Sequence, residues 1–182
     1  MSRRVTQVVL LCEDRQHEAF ARRFLERQGV GRRQIRVERS PTGRGSGEQW
    51  VRRAYAREVQ AFRSANYIQS RALIVMIDED TSSTIDRQQT LECALDDAKL
   101  PRRGDGERII HVLPARNIET WLAYLSGEDV NEGKTYPKLA QERRCAEQVK
   151  ELHQMCAKGE LRQPAPRSLG HACEEFQTRF QS

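Results

Sequence analysis

Two uninterrupted apolar runs constrain the fold of this chain more than any other feature of its sequence. They are VTQVVLLC at 5–12 and ALIVMI at 72–77, and both are rich in β-branched residues. Such runs are typical of strands that are buried on both faces, as in a parallel sheet. A segment with apolar residues at helical spacing follows each run, so strands and helices alternate along the chain.

The rest of the sequence continues this alternation. Two shorter strands are predicted at 34–39 and 108–113. Helices are predicted over 18–28, around 50–62, over 83–99, from 118 onward, over 138–158 and over 168–181. The pattern predicts an α/β fold: a mostly parallel four-stranded sheet with helices on both faces, plus C-terminal helices. We expect residues 1–126 to form the main domain and 127–182 a helical extension packed on it.

The cysteines and the apolar runs indicate a cytoplasmic protein. No apolar run approaches the roughly 20 residues of a membrane span. The first run is followed at once by Glu13 and Asp14, which favours a strand over a signal peptide. The five cysteines are scattered and form no C-x-x-C, which suits reduced thiols. The alternative is a zinc ion held by residues such as His153, Cys156, His171 and Cys173, which follow Cys145. The spacing of these residues matches no common zinc module.

Acidic residues follow three of the four predicted strands. Glu13 follows the first strand, Asp78 and Asp80 follow the third, and Glu119 lies just beyond the fourth. The carboxyl ends of parallel strands meet at one edge of the sheet, where ligands bind in such folds. We therefore expect these carboxylates to gather, with Asp78 and Asp80 on the same side because side chains alternate along a strand. The alternative is that each acid only caps the helix that follows it.

Gathered carboxylates raise one another's pKa unless a cation neutralises them. Their hard oxygen atoms suit Mg²⁺ or Mn²⁺, which retain water and take up phosphate oxygens. The acid cluster therefore predicts a divalent-metal site with Glu13, Asp78 and Asp80 as ligands.

A Glu after the first strand and a D-x-D after the third resemble the Toprim domain. The matching residues are Glu13 in LLCEDRQHEAF and Asp78 and Asp80 in MIDED, and the resemblance covers about residues 5–126. One departure is Asp14, where the family usually has Gly. Another is the family's further acid in the next turn, which is matched here only by Glu18, shifted by one position.

The stretch NIETWLAYL resembles the acidic helix downstream in small Toprim-like proteins and in overcoming-lysogenization-defect nucleases. The resemblance implies a metal-dependent nuclease acting on DNA or RNA, with Glu119 as a further catalytic carboxylate and Glu13 as an alternative general base. His17 is a candidate for proton relay or phosphate binding, against the alternative of simple packing. Many relatives of this kind serve phage defence, which implies a complex with a separate ATPase, because GRGSGE lacks the G-K-[ST] ending of a Walker A loop.

Two other functions compete with the nuclease. A phospho-receiver switch also uses acids at strand ends, but it needs a lysine after a later strand, and the fourth strand is followed by Pro114, Ala115 and Arg116. A non-catalytic nucleic-acid-binding or scaffold subunit would use the same fold with acids that only cap helices.

Positive charge is concentrated in the first third of the chain. Residues 1–63 contain fifteen arginines, no lysine and seven acids. Arginine suits planar, bidentate contacts with phosphate, so nucleic acid is the predicted partner. The candidate phosphate contacts are Arg32, Arg33, Arg36, Arg39, Arg44, Arg52 and Arg53.

Overall fold

A computed structural model describes residues 5–42, 46–65, 70–79 and 84–181 of the chain. Strands and helices alternate as predicted through the first two thirds of the chain, and two helices follow. The strands are β1 (Gln7–Cys12), β2 (Ile35–Arg39), β3 (Arg71–Met76) and β4 (Ile109–Val112). The helices are α1 (Arg15–Arg27), α2 (Gly47–Ser64), α3 (Thr84–Asp97), α4 (Ile118–Leu125), α5 (Ala146–Lys158) and α6 (Arg167–Phe180).

The four strands form one parallel sheet in the order β2-β1-β3-β4. Leu10 of β1 pairs with Val37 on one side and with Ile74 on the other. The chain leaves β1 toward β2 and later returns to β3 on the opposite side, so the direction of winding reverses between β1 and β3. Ligands bind at such a switch point, beyond the carboxyl ends of the strands. The prediction of an α/β, Rossmann-like fold is confirmed.

Each face of the sheet is covered by its own set of helices. Alternate strand residues such as Leu10 and Ile74 pack against α1, α4, α5 and α6. The intervening residues, such as Leu11 and Val75, pack against α2 and α3. The strands are therefore buried on both faces, which explains their uninterrupted apolar sequences.

The structure corrects one helix boundary. A helix was predicted from residue 138, but α5 begins at Ala146, and only a short 3₁₀ turn at Glu142–Arg144 precedes it. Side chains of α1 bind the backbone here: Gln16 Nε2 donates to the Glu142 carbonyl and Arg23 Nη2 to the Arg143 carbonyl. A helix continuing from residue 138 would use these carbonyls for its own i→i+4 hydrogen bonds, so the segment stays irregular.

Ser83, where the helix after the third strand was predicted to begin, lies outside the described residues. Asp86 stands in the first turn of α3. Among the described helices, none is both long and apolar enough to cross a membrane.

His111 makes the stability of the fold sensitive to acid. It is fully buried in β4, and its Nε2 lies 2.9 Å from the Tyr55 hydroxyl of α2. Burial, with Arg103 and Arg179 nearby, lowers its pKa well below 6.5. The unfolded chain therefore binds a proton near pH 6.5 that the folded chain does not bind, so the free energy of unfolding should fall as the pH drops below about 6.5.

We expect this group to contribute a slope of up to about 1.4 kcal/mol per pH unit between pH 6.5 and 5. Urea unfolding at several pH values should show a shallower acid slope for His111→Asn than for the wild type. Equal slopes for the two proteins would contradict the assignment.

Candidate functional site

The acids predicted at the strand ends come from adjacent strands. Glu13 follows β1, Asp78 lies two residues beyond β3, and Glu119 lies in the first turn of α4, after β4. Because β1, β3 and β4 are neighbours in the sheet, their carboxyl ends bring these residues to one edge. This edge includes the switch point between β1 and β3.

The Glu13 carboxylate lies against the backbone of two other segments of the chain. Its Oε1 accepts a hydrogen bond of 2.6 Å from the Asp78 backbone N–H. Its Oε2 faces Gly47 in the first turn of α2, where an added Cβ would lie 3.2 Å from this oxygen. The positive end of the α2 dipole therefore lies beside the carboxylate, which favours its charged form.

Asp78 is bound by the buried His17 of α1. His17 is fully buried, and its Nε2 lies 3.0 Å from Asp78 Oδ1. Burial alone would lower the pKa of His17, but the charge of Asp78 and its hydrogen bond, with Asp14 and Glu13, raise that pKa to about 9. The hydrogen bond between His17 Nε2 and Asp78 Oδ1 therefore holds the Asp78 carboxylate in one orientation.

Glu119 is the third described carboxylate of this edge. It is 6% exposed. Burial raises its pKa, and the negative charges of Asp78 and Asp14 raise it further. The negative charges of Asp78 and Asp14 therefore raise the pKa of both Glu119 and His17.

Asp80 lies outside the described residues, but the residues on either side of its segment are anchored. Glu79 is buried, and its backbone N–H donates to the Pro114 carbonyl at 2.9 Å. Beyond the segment, the buried Arg87 of α3 lies 2.5 Å from the Glu48 carboxylate of α2. Glu79 is thus attached to the residues after β4, and Arg87 is attached to α2, whose first turn lies beside Glu13.

The described residues contain no group of three or more Asp, Glu, His or Cys side chains arranged to hold a metal ion. Of the three predicted ligands, Glu13 contacts Asp78 through the Asp78 backbone N–H, and Asp80 lies outside the described residues. No such group of side chains surrounds His153 and Cys156, the zinc alternative, within the described part of the chain.

An open cleft of about 330 Å³ lies over the acids. Glu13, Asp14 and Glu119 line it, with cations from Arg15, Arg39 and Lys138. Its other lining residues are Gln16, Ser40, Pro41, Thr42, Gly47, Leu139 and Glu142. Carboxylates and cations thus line the same space, which is open to solvent.

No family model matches this chain, and no curated protein or solved structure matches it either.

The structure separates the arginines that were predicted to bind phosphate. Arg39, at the end of β2, lines the acid cleft and pairs with Glu18. Arg33 and Arg36 lie beside Thr6 and Gln7, at the start of β1 and therefore at the opposite end of the sheet.

Several of the other predicted arginines are engaged within the protein. Arg36 forms ion pairs with Glu38 and Glu58, Arg32 lies 3.6 Å from Glu26, and Arg52 lies 3.7 Å from Glu48 in α2. Arg53 is exposed on α2, and Arg44 lies outside the described residues. The structure therefore does not bring the six described arginines of this set together on one surface.

Sequence reasoning missed Arg15, Lys138 and Glu142 as residues of the cleft. Arg15 directly follows Glu13 and Asp14, so the position at a strand end was a usable signal. Lys138 and Glu142 carried none, because their segment was predicted to be helical.

Proposed function

We propose that this protein is a metal-dependent phosphodiesterase that hydrolyses nucleic acid. The observation that carries the proposal is the gathering of carboxylates from three neighbouring strand ends at one edge of the sheet, beside a cleft that Glu13, Glu119 and several cations line. Phosphodiester hydrolysis needs both charges: acids to hold a divalent cation, and basic groups to hold the phosphate.

The donors at this edge fit Mg²⁺ or Mn²⁺ in their chemistry. All the described acids offer hard oxygen atoms. The raised pKa of Glu119, caused by burial and then by Asp78 and Asp14, reflects negative charge that a divalent cation would neutralise. Glu13 and Asp78, with Asp80, would hold the ion. A bound Mg²⁺ or Mn²⁺ would polarise the phosphoryl oxygen and lower the pKa of the attacking water.

Each residue of the proposed site would have a distinct role. His17 orients Asp78 through the bond from Nε2 to Oδ1. The Asp78 N–H orients Glu13. Glu119, buried at the edge of the cleft, would accept a proton from water at its side-chain oxygen as a general base. Arg15 and Lys138 would hold the phosphate.

A non-catalytic nucleic-acid-binding or scaffold subunit is the second candidate function. Each of three acids has a structural partner that could account for it. Asp14 Oδ1 caps α1 by accepting from His17 N at 2.9 Å, Glu13 accepts from the Asp78 N–H, and Asp78 binds His17. These contacts would stabilise the fold without any metal.

The test is cleavage of labelled single- and double-stranded DNA and RNA in Mg²⁺, in Mn²⁺ and in EDTA. The proposal expects products only with the metal. Metal-independent binding without cleavage of any of the four substrates would support the scaffold instead.

The proposed role in phage defence, as the nuclease subunit of a complex with a separate ATPase, rests on the Toprim resemblance. If an ATPase is encoded beside this protein, co-expression of the two chains followed by size-exclusion chromatography tests this association. Separate elution of the two chains would count against it.

Gly47→Ala should lower the proposed activity by up to about tenfold, because a shift of a few tenths of an ångström is smaller than the ~1 Å displacement that can cost about 10²-fold in a catalytic group. The added Cβ would lie 3.2 Å from both Glu13 Cβ and Glu13 Oε2, closer than such atoms normally pack. Glu13 must then move away from α2. The measurement is kcat/KM for metal-dependent cleavage, with thermal unfolding to confirm that the fold is retained.

Gly106→Ala is the matched control, because its added Cβ would meet no atom within 4 Å. Similar activities for the two variants would show that the contact with Gly47 does not position Glu13.

A further inference from the structure

The cleft over the acids is lined by different parts of the chain. One group of lining residues is Arg39, at the end of β2, with Ser40, Pro41 and Thr42. Another group is Lys138, Leu139 and Glu142, which belong to the C-terminal third of the chain. We call residues 138–142 the C-terminal wall.

The C-terminal wall is fixed at both ends. Before it, Glu132 Oε1 accepts hydrogen bonds from Ser168 N at 3.0 Å and from Ser168 Oγ at 2.5 Å, and Oε2 accepts from Arg167 N at 3.2 Å. These contacts attach the preceding loop to the first turn of α6. At its other end, the Glu142 carbonyl accepts from Gln16 Nε2 of α1 at 3.1 Å. The wall therefore has little freedom to withdraw from the cleft.

The dimensions of the cleft limit what can reach the acids. A volume of about 330 Å³ is at the lower end of the roughly 300–1,000 Å³ that small-molecule sites occupy. This space suits about one nucleotide. In an intact duplex, the backbone is part of a wide, stacked helix, and a nucleotide enters a narrow pocket only after it has been unstacked and extruded.

We propose that the C-terminal wall makes the cleft selective for single-stranded nucleic acid, by narrowing the space that an intact duplex would have to enter. This inference rests on the proposed function and names its substrate class. A single strand reaches the acids without the cost of unpairing, so it binds more tightly than a duplex of the same sequence. Lys138, which lines the cleft together with Arg39, supplies a phosphate contact.

The chemistry of the lining also predicts how the strand is recognised. None of the described lining residues of the cleft is aromatic, so stacking of bases against aromatic rings contributes nothing there. Binding then depends on the backbone: it varies little with sequence and weakens with salt. Because Glu13, Asp14, Glu119 and Glu142 also line the cleft, a divalent cation that neutralises them should tighten binding.

The test is fluorescence anisotropy with a labelled 20-nucleotide single strand and a hairpin duplex of the same sequence. Ca²⁺ serves as the divalent ion because it binds oxygen ligands, and intact substrate is verified by gel after each titration. We expect the wild type to bind the single strand at least about tenfold more tightly than the duplex. Lys138→Gln should weaken single-strand binding and reduce the log–log salt slope by about 0.7.

Lys134→Gln is the matched control, since this exposed lysine of the same loop does not line the cleft. Its affinity and salt slope should match the wild type. Glu132→Ala detaches the loop from α6 and should reduce the preference for single strands to less than about threefold. Leu139→Ala, which shortens the wall itself, should reduce the preference in the same direction if Glu132→Ala does not fold.

Duplex binding as tight as single-strand binding by the wild type would overturn the selectivity and leave the proposed phosphodiesterase intact. An unchanged preference in both wall variants would overturn the role of the wall. Binding of neither nucleic acid with Ca²⁺ present would overturn the proposed function together with this inference.

Discussion

Asp78→Asn should reduce metal-dependent cleavage by at least about a thousandfold, because metal polarisation supplies several kcal/mol and each ~1.4 kcal/mol is tenfold. Asparagine keeps the size of the side chain and an oxygen that can accept the bond from His17 Nε2. The fold should therefore survive, while one ligand charge is lost. Single-turnover cleavage with Mg²⁺ or Mn²⁺ measures the loss, and circular dichroism confirms the fold.

Asp97→Asn provides the matched control, since it makes the same chemical change at an exposed position in α3. It should cleave like the wild type. Nucleic-acid binding by Asp78→Asn should persist through the cations of the cleft. Equal cleavage by Asp78→Asn and the wild type would remove Asp78 from the catalytic site.

Glu175→Ala should destabilise the protein by up to about 3–5 kcal/mol, the usual effect of breaking a buried ion pair, because only Glu92, 3.7 Å from Arg103 Nε, would remain as an acidic partner. Arg103 is 4% exposed, and its Nη1 and Nη2 lie 2.5 and 3.3 Å from the two oxygens of Glu175. Glu175 also accepts the His111 backbone N–H at 3.2 Å. For a chain of this length, we expect the melting temperature to fall by roughly 6–20 °C.

Glu174→Ala tests the specificity of that effect, because Glu174 is exposed on the same helix. It should change the free energy of unfolding by less than about 0.5 kcal/mol. The double variant Arg103→Met, Glu175→Leu should recover much of the loss, since it removes both charges. If the double variant is less stable than Glu175→Ala, the destabilisation does not come from the unpaired arginine.

The sheet and the position of the acids could be predicted from the sequence because both depend on local patterns. Uninterrupted β-rich runs identify strands, and helical spacing between them implies parallel pairing. Once the sheet is parallel, residues after the strands must meet at one edge. Glu13, Asp78 and Glu119 follow this rule without any further information.

The partners of these acids could not be predicted, because they depend on contacts between residues far apart in the chain. His17 and Asp78 are separated by 61 positions, and Gln16 reaches the Glu142 carbonyl across 126 positions. The segment that contains the second contact is irregular rather than helical from residue 138, and Lys138 in it lines the cleft.

The predicted arginine surface illustrates a different limit. Sequence shows how many arginines a segment contains but not which of them have acidic neighbours in space. Arg36 pairs with Glu58 of α2, and Arg39 pairs with Glu18 of α1, so part of the positive charge is neutralised within the fold. A count of charges therefore overstates what is available to a ligand.

The packing of α6 against β4 also bears on aggregation. β4 lies at the edge of the sheet, and an exposed edge strand can pair with a strand of another molecule. Here, Glu175 of α6 takes the His111 N–H, and Arg103, which Glu175 holds, donates to the Ile109 carbonyl at 2.9 Å. Two backbone groups of β4 are thus already occupied by side chains. Proteolysis or truncation that removes α6 should expose this strand and convert a monodisperse protein into one that self-associates through its sheet.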